Sequence, residues 1–171
     1  MNWKTELNTL IEERNIEWVV QTLIDKPQEI SQLVELTKSD KEKIAWRAAW
    51  VIDHLNMQKP ELISPFHPHL LQILKNAPFN GVRRSLLKIA VSAPPTIKED
   101  GELLDLCFKW IYSPAFPIAV RVYSMQFVFD LLPRYPELKN EFCHSLEFAL
   151  NDESKGVGSK ASKLLKVIGK Q

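Results

Sequence analysis

The sequence predicts an all-α protein in which helices follow one another in stacked pairs. Apolar residues recur at helical spacing, as Trp3, Leu7, Leu10 and Ile11 do near the start of the chain. No segment sustains the alternation of apolar and polar residues that is typical of a strand. Prolines and polar turns divide the 171 residues into pieces about as long as a helix.

The prolines indicate where the helices begin and end, because proline suits the first turn of a helix and breaks its interior. Ser39-x-x-Glu42 and Thr96-x-x-Glu99 are capping-box patterns that indicate two further starts. The helix near 41–55 is apolar on most of its circumference, so we expect it to be buried. We expect ten helices near residues 3–13, 15–25, 28–37, 41–55, 67–76, 81–92, 102–112, 117–132, 136–150 and 155–168.

Composition favours a soluble protein with no dedicated nucleic-acid role. Twenty-two Lys and Arg against 21 Asp and Glu leave a net charge of +1, whereas nucleic-acid binders usually carry a basic excess. The first residues resemble no signal peptide, and no apolar run approaches the ~20 residues that span a bilayer. We therefore expect a cytoplasmic protein that makes no membrane contact.

Self-comparison of the sequence reveals a repeat with a period of 36 to 39 residues. Its marker is a basic residue that is followed, four and eight positions later, by residues suited to one buried helix face. The basic residues are Arg47, Arg83, Arg121 and Lys160; the positions four later are Val51, Leu87, Met125 and Leu164; those eight later are Leu55, Val91, Phe129 and Ile168. A second marker appears as KPQEI (26–30), KPELI (59–63) and YPELK (135–139).

These repeats resemble the HEAT-repeat, or armadillo-type, family. The resemblance lies in a polar turn, then Val-Arg or its equivalent, then small and branched residues, as in SDKEKIAWRAA, NAPFNGVRRSL, SPAFPIAVRVYSM and, more faintly, NDESKGVGSKAS. It implies a right-handed α-α superhelix, or solenoid, of about four to five helix pairs. A single domain would cover 1–171, with units near 3–37, 39–76, 80–112 and 117–150 and a capping helix at 154–169.

In that family the repeat arginine supports the turn and the neighbouring repeat through hydrogen bonds. The resemblance therefore implies structural roles for Arg47, Arg83 and Arg121, with partners such as Asp40. The last unit departs from the pattern with Lys160 and two glycines, as an atypical terminal repeat does.

Several residues have both a chemical and a structural interpretation. Trp46 and Trp50 fit an inter-repeat groove, although Trp50-x-x-Asp53 also resembles the aromatic and acidic residues of HEAT-like DNA glycosylases. His67 and His69 either share a metal or begin a helix around Pro68, and we favour the helix start. No local motif indicates a catalytic residue, a bound metal or a cofactor.

Two other groups of side chains also have alternative interpretations. Cys107 and Cys143 lie in apolar helical patterns and are expected to be free thiols rather than a disulfide. The C-terminal run carries Lys155, Lys160, Lys163, Lys166 and Lys170, either as a solvated face or as a contact for acidic partners or membranes.

Stacked helix pairs present a concave wall that is the usual binding surface of repeat proteins. In the HEAT arrangement the Val-Arg helices line that wall, and their polar positions should point away from the stacking interface. The predicted contact residues are Asp53, Asn56, Arg84, Ser85, Lys88, Tyr123, Gln126 and Asp130. The sequence thus predicts a non-enzymatic scaffold or adaptor that binds a protein partner, with a HEAT-like DNA-binding or glycosylase-type repair protein as the alternative.

Overall fold

The computed structural model describes residues 1–9 and 16–169, and every regular element in them is a helix. The α-helices are α1 (Trp3–Thr9), α2 (Ile16–Asp25), α3 (Ile30–Leu36), α4 (Glu42–Gln58), α5 (Pro60–Ile63), α6 (His67–Asn76), α7 (Asn80–Ser92), α8 (Gly101–Tyr112), α9 (Ile118–Leu131), α10 (Lys139–Leu150) and α11 (Lys155–Gly169). All ten predicted helices have a counterpart, and α5 is an additional short one. Positions 10–13 of the first predicted helix, with Leu10 and Ile11, and Lys170 lie outside the described residues.

The chain divides into two compact units, residues 1–89 and 90–171. In the second unit α8 packs against α9 and α10 against α11, so each pair is an antiparallel hairpin joined by a short turn. The first helices, α8 and α10, pack against each other, as do the second helices, α9 and α11. In the first unit α3 packs against α4, α1 against α3, and α2 against α4. Each unit therefore contains one layer of first helices and one layer of second helices. In the first unit α1 and α3 are first helices, and α2 and α4 are second helices.

Proline turns of nearly identical geometry join the pairs. The residue before the proline has φ/ψ of −130°/67° at Lys26, −141°/67° at Lys59 and −130°/69° at Tyr135. After Pro27 and Pro136 a single 3₁₀ turn leads directly into the next helix. The repeated Lys/Tyr-Pro sequences thus mark one recurring backbone device, in which proline fixes φ at the start of a helix.

Both predicted capping boxes are wrong. The N-cap of α4 is Lys41, which makes no side-chain capping bond, and the Ser39 hydroxyl accepts a hydrogen bond from the Lys41 N–H instead. Helix α8 begins after a separate 3₁₀ turn at Pro95–Ile97 and is capped by Asp100, whose carboxylate accepts from the Leu103 N–H at 3.0 Å. Both helices begin later than the patterns indicated.

Most of the positions that the sequence repeat assigns to the buried helix face are buried in the structure. Helix α4 is buried on most of its circumference, as predicted, and the positions four after each basic residue are all buried. Of the positions eight later, Leu55 and Ile168 are buried, whereas Val91 and Phe129 remain partly exposed. Cys107 and Cys143 are free, and burial raises the pKa of the Cys107 thiol far above its usual range.

The tryptophans of α4 belong to this packing. Trp46 and Trp50 are half-buried with ring centroids 6.4 Å apart, and Trp50 stacks edge-on against His54 at 4.7 Å. A Cβ atom at Gly81 would lie only 2.7 Å from the Cβ of Trp46. The first turn of α7 therefore approaches α4 so closely that only glycine fits beside Trp46.

Gly81→Ala should destabilise the protein, because the new methyl group must displace Trp46 or the backbone of α7. We expect a loss of about 1–3 kcal/mol in the free energy of unfolding, measured by urea denaturation. Gly101→Ala is the matched control, since nothing lies within 4 Å of its Cβ position. Equal effects of the two substitutions would contradict the close packing of α7 on Trp46.

His67 should make stability depend on pH. The side chain is buried, its Nε2 has no hydrogen-bond partner, and burial lowers its pKa below the ordinary 6.5. The unfolded chain therefore binds a proton more readily, so stability is lost as the pH falls below about 6.5, by at most about 1.4 kcal/mol per pH unit. His67→Gln should flatten the profile of unfolding free energy between about pH 7.5 and about pH 5.5, where an unperturbed histidine titrates.

The exposed His144 provides the control for this prediction. His144→Gln should leave the pH profile as steep as in the parent chain. If His67→Gln also leaves it unchanged, His67 does not titrate differently in the folded and unfolded states.

Candidate functional site

Two of the repeat arginines are buried and donate hydrogen bonds to backbone carbonyls of neighbouring helices. Arg47 donates from one guanidinium nitrogen to the carbonyl oxygens of Leu7 and Asn8, both at 2.6 Å. Both residues belong to α1. The expected partner Asp40 is exposed, so the carboxylate prediction is wrong for Arg47.

Arg121 joins three elements of the second unit and is only 2% exposed. Its Nε and one terminal nitrogen donate to the Ile111 carbonyl, near the end of α8, at 3.2 and 3.1 Å. The other terminal nitrogen lies 2.7 Å from the carboxylate of Asp152, in the turn before α11. The backbone N–H of Ser154 and then Arg121 hold the pKa of Asp152 below its ordinary range, although burial acts in the opposite direction.

Arg83 and Lys160 occupy the same repeat position but make different contacts. Arg83 is half-buried and donates at 2.7 Å to the side-chain oxygen of Asn80, the first residue of its own helix. Lys160 donates to the Gln126 side chain on α9. The sequence repeat therefore predicts the position of these basic residues better than it predicts their partners.

The predicted contact residues of the first unit are mostly buried. Asp53, Asn56 and Ser85 are less than 8% exposed, so the expectation that their polar side chains point away from the packing is wrong. The ammonium of Lys88 lies 2.9 Å from the Asp53 carboxylate and 3.0 Å from the sulfur of Met57, and Lys88 thereby covers Asp53. Arg84 is exposed.

This arrangement limits the chemistry of Asp53. One carboxylate oxygen is paired with Lys88, and the other is buried without a hydrogen-bond partner. A general base must reach its substrate within hydrogen-bond distance. The Asp53 carboxylate is covered by Lys88 and ion-paired, so a substrate does not come within hydrogen-bond distance of it.

Two of the predicted residues of the second unit, Gln126 and Asp130, belong to a series of hydrogen bonds between α9, α11 and the turn before α8. Asp130 accepts from Gln126 at 2.7 Å and from the ammonium of Lys98 at 2.9 Å. Lys98 also donates to the Val91 carbonyl at 2.6 Å and is only 3% exposed. Gln126 in turn accepts from Lys160. Sequence reasoning missed Lys98, because a lysine beside Glu99 and Asp100 in a turn has the pattern of a solvated residue.

Next to these hydrogen-bonded residues lie partly exposed side chains of α9 and α11, which together we call the α9–α11 surface. The hydrogen bond between Lys160 and Gln126 links α11 to α9 at this surface. Residues one helical turn away share the same side of each helix. The α9–α11 surface consists of Val122, Tyr123, Gln126 and Phe129 on α9 and Lys160, Lys163 and Val167 on α11, all of them at least partly exposed.

Of these residues, Tyr123 and Gln126 were predicted as contacts, and Asp130 lies beneath them in the hydrogen-bonded chain. Phe129 was assigned to the buried face because its helical position matches buried residues in other repeats. A half-buried aromatic has the same spacing as a buried one, so periodicity alone does not separate the two. The lysine run around Lys163 was the one sequence signal for the α11 side of the surface.

The histidine pair does not form a metal site. His67 is buried at the start of α6, as the helix-start interpretation predicted, and His69 is exposed and bonded to Glu35 at 2.8 Å. No group of three or more potential metal ligands occurs in residues 1–9 and 16–169. Within the same residues no helix is both long and apolar enough to cross a membrane.

Arg121→Met should destabilise the protein by about 3 kcal/mol, since it leaves the Asp152 carboxylate and the Ile111 carbonyl without their partner. Arg134→Met is the control, because Arg134 pairs with Glu99 at the exposed surface, where an ion pair contributes less than about 1 kcal/mol. Urea denaturation of both variants measures the difference. Similar small losses would show that Arg121 does not hold the three elements together.

The family model of the HEAT repeat domain matches residues 3–168 of this chain. Neither a curated protein nor a solved structure gave a significant match. The match covers nearly the whole chain and agrees with the paired helices, the recurring proline turns and the buried arginines. This chain belongs to the HEAT-repeat family.

Proposed function

We propose that this protein is a non-enzymatic interaction module that binds a protein partner through the second helices of its pairs. In the second unit the contact is the α9–α11 surface. In the first unit the exposed Arg84 and the half-exposed Lys88 contribute, while Asp53, Asn56 and Ser85 support them from below. The cytoplasmic location expected from the sequence is part of this proposal.

The apolar character of α9 carries the proposal. Its sequence, IAVRVYSMQFVFDL, places apolar residues on every side of the helix. A helix of this kind is normally covered on all sides. Here Val122, Tyr123 and Phe129 keep part of their surface exposed, and a bound partner would cover them.

The composition of the α9–α11 surface also supports a protein partner. Protein interfaces combine an apolar and aromatic centre with a polar rim, and tyrosine is enriched among the residues that dominate binding. Tyr123 and Phe129 supply the aromatic centre, and Gln126, Lys160 and Lys163 supply the polar rim. The hydrogen bonds of Gln126 and Asp130 hold the rim in place before a partner arrives.

The burial of Asp53 argues against the alternative, a glycosylase-type repair protein. That alternative assigned Asp53 the acidic role next to Trp50, and the ion pair with Lys88 covers this carboxylate. Recovery of nucleic acid in the experiment would overturn the proposal of a protein partner.

The experiment is affinity capture with the whole chain from the cells that produce it, comparing three forms of the protein. Tyr123→Glu places a charge at the aromatic centre of the α9–α11 surface, and we expect it to weaken capture of the specific partner at least about tenfold. Phe148→Glu makes the same kind of change on α10, where Phe148 is 51% exposed, and should leave capture intact.

Circular dichroism of each variant first establishes that the helices are retained. A partner captured equally by the parent chain and by Tyr123→Glu would contradict the proposed surface. Recovery of nucleic acid, with an affinity that falls steeply as salt rises, would favour the alternative.

A further inference from the structure

Helix α11 carries an unbalanced positive charge. Its sequence, KGVGSKASKLLKVIG, contains four lysines and no carboxylate. Lys160 and Lys163 lie one turn apart, which places both on the α9–α11 surface beside Gln126. The protein as a whole has a net charge of only +1, so this excess of positive charge is local to α11.

Asp130 stabilises the charge of Lys160 but is shared with two other donors. Asp130 already accepts hydrogen bonds from Lys98 and Gln126. Burial lowers the pKa of Lys160, and the positive charge of Lys163 acts in the same direction, while Asp130 acts against both. The ammonium groups of the partly buried Lys160 and the exposed Lys163 therefore repel each other, and a further negative charge would relieve that repulsion.

Apolar side chains flank the two lysines. Val122 and Phe129 lie one turn to either side of Gln126 on α9, and Val167 lies one turn beyond Lys163 on α11. Val167 is 43% exposed, whereas Val157, Ala161, Leu164 and Ile168 of the same helix are buried. A ligand for this surface must therefore offer both apolar groups and negative charge.

Resting on the function proposed above, we infer that the partner presents an acidic amphipathic helix to the α9–α11 surface. Its apolar side chains cover Val122, Tyr123, Phe129 and Val167, and its carboxylates pair with Lys160 and Lys163. Helix α9 has 14 residues and is about 20 Å long, enough for three to four turns of a bound helix.

An acidic protein segment fits this surface better than nucleic acid does. Affinity for nucleic acid grows with the number of phosphates that lysine and arginine neutralise. Only Lys160 and Lys163 lie on the α9–α11 surface, whereas its apolar residues outnumber them.

The inference is tested by titrating the whole chain with three labelled synthetic peptides and measuring fluorescence anisotropy. All three carry leucines at i, i+3, i+4 and i+7, and their remaining positions are glutamate, glutamine or lysine. We expect the glutamate peptide to bind at least about tenfold more tightly than the glutamine peptide at low salt, with the difference shrinking as salt rises. The lysine peptide should bind most weakly.

Charge-reversal variants identify the lysines that are responsible. Lys160→Glu/Lys163→Glu should reverse the preference, so that the lysine peptide binds more tightly than the glutamate peptide. Lys109→Glu/Lys139→Glu changes the net charge by the same amount at exposed positions of α8 and α10, the first helices. This control should keep the preference of the parent chain, and thermal melting checks that both variants fold.

The remaining outcomes separate this inference from the proposed function. Equal binding of all three peptides, lost in Tyr123→Glu, would overturn the acidic partner and leave the interaction surface standing. Failure of every peptide to bind, together with no Tyr123-dependent capture, would overturn both. Tighter binding of single-stranded DNA than of the glutamate peptide, dependent on Lys160 and Lys163, would replace the acidic helix by nucleic acid.

Discussion

The carbonyl groups at the ends of packed helices impose the constraint on which this structure depends. The last carbonyls of a helix have no intrahelical N–H to accept from, and inside a helix stack water does not reach all of them. Arg121 satisfies the Ile111 carbonyl near the end of α8, and Arg47 donates to two carbonyls of α1. The guanidinium group suits this role because it offers five donors in a fixed plane and stays charged when buried.

The same constraint explains why the repeat is visible in the sequence. In α4 and α9 the basic residue donates to carbonyls of a first helix, and the apolar residue four positions later continues the buried side. The proline turns then return the chain to the start of the next pair with a fixed φ. Helix number, helix order and family were therefore accessible from the sequence.

Other features were not accessible, for identifiable physical reasons. The capping residues of α4 and α8 were misidentified because the turns that precede these helices contain residues that resemble the caps of a helix. Exposure along the second helices was misjudged because a small polar residue such as Ser85 fits either a packed or a solvated position. Lys98 and its partner Asp130 are 32 residues apart, and no local pattern encodes such a pairing.

The contacts of Arg121 have a consequence for how the second unit unfolds. Repeat proteins often lose their outer repeats first, since each repeat is coupled only to its neighbours. Opening of the pair α10–α11 would remove Asp152 from Arg121 and leave a buried cation without its counter-charge. That penalty couples the opening of α10–α11 to the disruption of α8 and α9. The second unit should therefore unfold as one cooperative block, without a stepwise peeling of helices from its end.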